Sequence, residues 1–179
     1  MAKQYRRIVV KVGTSTLTHP SGRTNIREMG HLVRVLSDVM NRGVQVALVT
    51  SGAIGVGVGK LGLPGRPKDT PGKQACATVG QCELMYMYDK MFAEYSHKVG
   101  QLLITKEDVE DAQRRGNLIA CFDRLLEMGV LPIINENDAV AVEEIVYGDN
   151  DSLSAIVARL IHADLLIILS DIDGLYDAD

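Results

Sequence analysis

The chain has 179 residues, of which 46% are hydrophobic and 23% are charged, and its formal net charge is −4. This composition predicts one globular domain with an ordinary core and excludes a disordered chain. The acidic balance argues against a large positively charged face, so we expect no nucleic-acid binding. Lys11 interrupts the apolar run that follows Arg6 and Arg7. We therefore expect neither a signal-peptide core nor a membrane span there.

The cysteines and histidines show no pattern typical of a metal site. Cys76, Cys82 and Cys121 are odd in number, and their spacing fits neither zinc binding nor a disulfide framework. The histidines are scattered without metal-ligand spacing: His19, His31, His97 and His162. We therefore expect a reduced, cytoplasmic protein in which these side chains form part of the surface or the packing and bind no metal.

The chain begins with a predicted strand and a predicted helix. Residues 7–12 form a short β-branched run typical of a buried strand, and Gly13 allows a tight turn after it. Asn25 and Glu28 resemble an N-terminal helix cap, and Gly43 ends the helix. Between them one apolar face repeats at helical spacing: Met29, Leu32, Val33, Leu36, Val39 and Met40.

The remaining chain continues this alternation of strands and helices. Strands are predicted at 44–49, 99–104, 130–134 and 165–169, and helices at 75–95, 116–128 and 151–162. Because the strands are apolar throughout, the pattern predicts an α/β fold whose mostly parallel sheet is sandwiched between helices. Ligands in such sheets bind beyond the carboxyl ends of the strands. Gly13, Ser51, Asn135 and Ser170 all follow predicted strands.

Lys11 is a candidate anion-binding residue because it lies in an apolar strand just before a glycine turn. A lysine there is costly unless its ammonium reaches solvent or an anion. The backbone N–H groups of Gly13 and Thr14 can approach a phosphate closely. The alternative is a surface lysine whose stem covers the end of the strand, and the pattern alone leaves both open.

The glycine-rich stretch 52–62 invites two interpretations that the spacing excludes. Residues 57–62 match G-x-G-x-x-G, but they begin well beyond the strand, and no strand with an acidic residue follows at the required distance. Lys60 does not belong to a Walker loop, because Leu61 stands where Ser or Thr should be. We expect instead a helix that starts close to the ligand, with the N–H groups of residues 51–53 facing a carboxylate.

Carboxylates and carboxamides are concentrated in residues 135–138 and 149–151. They supply acceptors for an ammonium, donors for a carboxylate, and charges that can orient a lysine or a metal. The alternative is that they form only turns and helix caps, with Asp149 or Asn150 capping a helix that starts near Asp151. Their joint position after strands favours a binding site.

Six motifs carry a resemblance to a known family: residues 9–15, 49–54, 99–105, 134–140, 148–155 and 169–176. In this order they resemble the glutamate 5-kinases of the wider amino-acid kinase family, over essentially the whole chain. The combination of residues 135–138 with 148–151 is specific to glutamate 5-kinases. The resemblance implies an amino-acid kinase-like α/β/α fold.

The resemblance also implies roles for individual residues. Lys11 would hold the transferring phosphoryl group, and Asp151 would orient the catalytic lysines. The implied nucleotide-binding residues are Lys11, Gly13, Thr14, Ser170 and Asp171. The implied substrate-binding residues are Ser51, Gly52, Ala53, Asn135, Asp138 and Asn150. Of these, Ser51, Gly52 and Ala53 would hold the reacting carboxylate, and the others would bind the amino and carboxylate groups at the far end of glutamate.

The implied activity is ATP- and Mg²⁺-dependent phosphorylation of the glutamate side chain, the first step of proline biosynthesis. Proline as feedback inhibitor, a glutamyl phosphate reductase acting next and a homo-oligomer follow from the same resemblance. The family continues beyond residue 179, so residues 1–165 would form the amino-acid lobe and 166–179 the start of an incomplete nucleotide lobe, as in a truncated kinase. The alternatives are another amino-acid or carbamate kinase of this fold and a non-catalytic glutamate- or proline-binding fragment.

Overall fold

A computed structural model describes residues 5–19, 23–140 and 150–170. Its helices are α1 (Thr14–Leu17), α2 (Ile26–Asn41), α3 (Ala53–Leu61), α4 (Thr70–Ala93), α5 (Lys106–Glu110), α6 (Ala112–Glu127) and α7 (Asn150–Leu160). Its strands are β1 (Arg7–Val12), β2 (Gln45–Val49), β3 (Lys98–Ile104), β4 (Val130–Glu136) and β5 (Leu165–Leu169). Among the described helices, none has both the length and the apolar character that crossing a membrane requires.

The described strands form one sheet in the order β3-β4-β2-β1-β5, and every pairing is parallel. In β1, Lys11 pairs with Val49 of β2, and Val12 pairs with Leu169 of β5. Because all strands run the same way, their carboxyl ends lie along a single edge of the sheet. The predicted α/β fold with a parallel sheet is confirmed.

The side chains of β1 divide the core into two layers. Ile8, Val10 and Val12 pack in a cluster with the apolar faces of α2 and α4 on one side of the sheet. Val9 packs in a second cluster with α6 and α7 on the other side. Successive strand residues point to opposite faces, so Lys11 shares the face of Val9. The sheet pleat therefore directs Lys11 toward the layer that contains α7.

Close contact between α3 and α4 explains Gly57 in the glycine-rich stretch and Gly80 in α4. A Cβ atom on Gly80 would lie 1.7 Å from the carbonyl oxygen of Ala53, and one on Gly57 would lie 1.9 Å from that of Cys76. No side chain fits at such distances, so the two helices can meet this closely only through glycine. The contact fixes the first turn of α3 at the end of β2, where the sequence predicts a helix to begin.

Helix starts are where the sequence-based elements differ most from the structure. Helix α4 begins five residues before its predicted start, because the Asp69 carboxylate accepts a hydrogen bond of 2.8 Å from the N–H of Gly72. Helix α6 likewise begins early, since Asp111 accepts from the N–H of Arg114 at 2.8 Å. Polar first turns held by side-chain caps carry no apolar periodicity. The sequence does not predict the short helix α5 for the same reason, since Thr105 and Asp108 cap it. Helix α1 has no side-chain cap, and its four residues are too few to show a helical period.

Candidate active site

The candidate site lies at the carboxyl edge of the sheet, where β1, β2 and β4 end and α7 begins. The first residue of α7 joins these strand ends, because the side-chain N–H of Asn150 donates to the carbonyl oxygen of Thr50 at 2.5 Å. Thr50 follows β2 directly, and its own N–H donates to the carbonyl of Ile134 in β4 at 2.8 Å. Backbone groups therefore hold the amino end of α7 against two adjacent strand ends.

Lys11 is buried and forms an ion pair at this edge. Its side chain is 5% exposed, and its Nζ lies 2.6 Å from Oδ1 of Asp151, whose side chain is 37% exposed. Asp151 lies in the first turn of α7, where a carboxylate is also stabilised by the helix dipole. The ion pair explains how a lysine is accommodated in an apolar strand. The alternative of a surface lysine is wrong.

The turns after β1 and β2 adjoin each other beside this ion pair. A Cβ on Gly13 would lie 3.7 Å from Nζ of Lys11, so the backbone of this turn runs close to the ammonium. Gly52 has a φ of +91°, which favours glycine, and a Cβ there would lie 3.4 Å from Cγ2 of Thr14. Gly52 is the N-cap of α3 and offers no side-chain cap. The first N–H groups of α3 can therefore receive an anion.

Carboxamides form a directed hydrogen-bond network next to these turns. Besides the carbonyl of Thr50, the Nδ2 of Asn150 contacts Oγ of Ser51 and Oδ1 of Asn135, each at 2.9 Å. The same oxygen of Asn135 accepts from the N–H of Glu136 at 2.9 Å. Asn135 is 3% exposed. The structure thus brings together residues that follow β2, lie in β4 and begin α7.

A pocket of about 360 Å³ opens beside this network, with walls from α4, β3 and the segment after β4. It is acidic, since Glu136 and Asp138 both line it. Burial, and secondarily the charge of Asp138, raises the pKa of Glu136 to about 7. Burial also raises the pKa of Asp138, and the nearby Arg66 partly opposes this shift. Because both pKa values are raised, the two carboxyl groups do not readily ionise together unless a cation lies between them. A primary ammonium could be that cation.

Two further predicted site residues, Ala53 and Ser170, lie at the same edge of the sheet. Ala53 begins α3. Ser170 follows β5 directly and is thus one strand away from Gly13, because β5 pairs with β1. Asp171, the second residue assigned to the nucleotide, lies outside the described residues.

Sequence reasoning missed Gln81, which belongs to the network. Its Oε1 accepts a buried hydrogen bond of 2.8 Å from Nδ2 of Asn135. The signal was present, because Gln81 falls on the apolar stripe of α4 at helical spacing from Ala77, Leu84 and Tyr88. A polar side chain at such a position needs a partner. Tyr88 itself reaches the strand end, with its hydroxyl 2.9 Å from Oγ1 of Thr50.

Comparison with known proteins identifies the relatives of this chain. A model of the amino acid kinase family matches residues 6–179. The chain belongs to the amino acid kinase family. Among this family, glutamate 5-kinase from Clostridium acetobutylicum is 59% identical over 173 residues, which is 97% of this chain and 65% of the relative. The glutamate 5-kinase of Clostridium perfringens is 55% identical over 181 residues, covering 99% of this chain and 67% of that protein.

A third amino acid kinase, the glutamate 5-kinase of Clostridium tetani, is 57% identical over 177 residues, which is 99% of this chain and 66% of the relative. The predicted resemblance to glutamate 5-kinases is therefore confirmed. The chain spans about two thirds of the length of these curated relatives.

Proposed function

We propose that this protein transfers the terminal phosphoryl group of MgATP to the side-chain carboxylate of L-glutamate. The products are L-glutamyl 5-phosphate and ADP, and this reaction is the first step of proline biosynthesis. One observation carries the proposal: the ion pair of the buried Lys11 with Asp151 lies at the same sheet edge as the hydrogen-bonded side chains of Ser51, Asn150 and Asn135. The names of the relatives, glutamate 5-kinase, support the choice of acceptor.

Catalysis in this proposal depends on position and charge. A carboxylate with an ordinary pKa near 4 is already ionised at neutral pH, so the attack needs no general base. Lys11 neutralises charge on the phosphoryl group, with the N–H groups of Gly13 and Thr14 beside it. Asp151 keeps the ammonium in place through the 2.6 Å contact. This role accounts for a site that has a lysine and glycine turns at its centre.

The acceptor would bind across the ends of β2 and β4. Ser51, Gly52 and Ala53 hold the reacting carboxylate at the amino end of α3. Asp138 and Asn150, the latter backed by Asn135, hold the amino and carboxylate groups at the far end of glutamate. The acidic pocket around Asp138 supports this direction of binding, since it favours a free ammonium over a neutral group.

The nucleotide would enter from the β5 side. Ser170 and Asp171 line its site in this proposal, next to Lys11 and Gly13. No group of three His, Cys, Asp or Glu residues suited to a metal occurs in the part of the chain that the structure describes. In this proposal Mg²⁺ arrives with its nucleotide, because protein-bound Mg²⁺ is usually held by one or two carboxylates plus substrate phosphates.

The wider assignments belong to the same proposal. Residues 1–165 form the amino-acid lobe, and residues 166–179 begin the nucleotide lobe. The protein acts in the cytoplasm as a homo-oligomer, proline inhibits it, and a glutamyl phosphate reductase consumes its labile product.

An acceptor series tests this function. ADP formation by the protein is measured with glutamate, aspartate, N-acetylglutamate and carbamate under identical conditions. We expect glutamate to be preferred, and we expect N-acetylglutamate to fail because it lacks the ammonium that the acidic pocket favours. Preference for another acceptor would assign the protein to a different kinase of this fold. Glutamate binding by calorimetry without ADP formation would leave a non-catalytic binding module.

A further inference from the structure

The orientation of the carboxamide network is fixed by two backbone groups. The carbonyl of Thr50 can only accept, so the nitrogen of the Asn150 side chain must face it. The N–H of Glu136 can only donate, so the oxygen of Asn135 must face it. These two constraints define the orientation of both side-chain amides. Asn135 therefore turns its nitrogen toward α4, and α4 must supply an acceptor.

Gln81 supplies that acceptor and is the last member of the hydrogen-bonded chain that runs from Asn150 through Asn135. Its Oε1 lies 2.8 Å from Nδ2 of Asn135, and the residue is only 8% exposed. Its Nε2 is buried and has no hydrogen-bond partner among the described residues. An unsatisfied buried donor is unfavourable for folding. Stability alone therefore gives a weak reason for glutamine here, and the oxygen is the part of the side chain that the network uses.

Asn135 has little capacity left for a substrate. Its oxygen already accepts from Asn150 and from Glu136, which matches its two lone pairs, and its side chain is buried. Asn150 is different, because its two side-chain N–H groups are shared among the three acceptors described above and its oxygen takes no part in these contacts. A carbonyl oxygen is the group that an ammonium requires.

We propose that Gln81 and Asn135 form a positioning relay that presents the side-chain oxygen of Asn150 to the amino group of the bound amino acid. Gln81 anchors the relay from α4, where it also lines the acidic pocket, and it acts through the oxygen that holds Asn135. Asn135 does not contact the substrate. The inference rests on the proposed function for the identity of the amino acid. It assigns to Asn135 an indirect role and adds Gln81 as a residue that sets the affinity for the acceptor.

Two variants of Gln81 test the relay. Gln81→Met keeps the approximate volume and removes the acceptor, whereas Gln81→Glu keeps an acceptor oxygen whether its carboxyl is ionised or protonated. We expect the Met variant to raise the KM and the Kd for glutamate by about tenfold or more, with kcat and the KM for ATP nearly unchanged. The Glu variant should restore affinity to within about threefold of the original protein. Gln113→Met, on the exposed face of α6, is the matched control.

Two outcomes would overturn the relay. One is unchanged glutamate affinity in the Met variant. The other is equal loss of affinity in both variants, which would show that the acceptor oxygen of Gln81 is not the group that sets the affinity. If the Met variant does not fold, hydrogen exchange of side-chain amides in the unmodified protein decides. The amide protons of Asn135 should exchange much more slowly than those of exposed Asn117, and equally fast exchange would contradict the relay.

This exchange measurement needs no ligand, so it separates the two proposals. Failure to phosphorylate glutamate together with a protected Asn135 amide would sink the proposed function and keep the relay. Phosphorylation of glutamate together with an unprotected Asn135 amide would support the proposed function and contradict the relay.

Discussion

The ammonium of Lys11 and the carboxylate of Asp151 lie 2.6 Å apart, although one belongs to the first strand and the other to the last described helix. The sheet pleat directs Lys11 toward α7, and the hydrogen bonds of Asn150 hold the amino end of that helix at the strand ends. Removal of Asp151 would take a counterion away from a buried ammonium. The pair thus links the fold to the chemistry that we propose.

Lys11→Met tests the role of the buried ammonium. We expect kcat to fall by about 100- to 1000-fold, because the variant loses a charge that stabilises the transferring phosphoryl group. The KM for glutamate should change little, since the acceptor binds elsewhere in the site. Steady-state kinetics checks both values. Lys106→Met, which removes an exposed lysine of α5, is the control and should keep kcat. A rise in the glutamate KM with an unchanged kcat would contradict this role.

Asp138→Asn tests the pocket that we assign to the amino group. A hydrogen bond to a charged group contributes about 1.5–3 kcal/mol, so we expect the KM for glutamate to rise by roughly 10- to 100-fold. The value of kcat at saturating glutamate should stay close to that of the original protein, as initial-rate measurements will show. Asp89→Asn makes the same change on the exposed face of α4 and should have no effect. An unchanged KM in Asp138→Asn would remove Asp138 from the pocket.

The raised pKa of Glu136 predicts a particular pH dependence of stability. The pKa is about 7 in the folded protein and 4.5 in the reference state, so the folded state binds more protons between these values. Stability should therefore fall as pH rises through this window and then level off. Glu136→Gln removes this contribution of Glu136. We expect its unfolding midpoint in urea to exceed that of the original protein by a margin that grows between about pH 5 and pH 8.

The exposed Glu94→Gln is the control for this prediction, and its margin should not change with pH. A constant difference between Glu136→Gln and the original protein across the window would show that Glu136 titrates normally. The same titration should affect ligand binding, because an ammonium prefers the ionised form of its neighbours. Glutamate affinity should therefore rise as pH increases through about 7.

Gly80→Ala tests the close contact of α3 with α4. The added Cβ would overlap the carbonyl oxygen of Ala53, so we expect a loss of about 1–3 kcal/mol or more in the free energy of unfolding. Because α3 begins at the site, the KM for glutamate should rise as well. Gly116→Ala is the matched control: its Cβ would meet nothing within 4 Å, and it should stabilise α6 by roughly 0.5–1 kcal/mol. Equal stability of both variants would contradict the contact.

The sequence pattern predicts the strands of the sheet better than it predicts where the helices begin. Apolar runs such as residues 7–12 identify strands because a strand covered on both faces has no polar side to interrupt it. Caps such as Asp69 and Asp111 were missed, since a first turn held by one carboxylate resembles any polar loop. The short helix α5 is likewise held by the reciprocal bonds of Thr105 and Asp108.

The sequence predicts which residues belong to the site, but it does not predict the contacts between them. Lys11 is a candidate site residue in the sequence because it interrupts an apolar strand. Only the fold shows that it pairs with Asp151. Gln81 lies 54 residues before Asn135, and no local pattern connects a helix stripe with a strand end. Such contacts depend on the order and register of the strands in the sheet. The same apolar runs are compatible with several strand orders, so the sequence pattern does not select one of them.

An isotope experiment tests the central claim most directly. The protein is incubated with MgATP and glutamate whose side-chain carboxylate carries ¹⁸O, and the phosphate released when the labile product breaks down is analysed by mass spectrometry. If the glutamate side chain attacks the terminal phosphoryl group, each released phosphate should carry an oxygen from that carboxylate, and Lys11→Met should nearly abolish the labelled phosphate. Phosphate without the label would show that water, and not glutamate, receives the phosphoryl group, and would contradict the account.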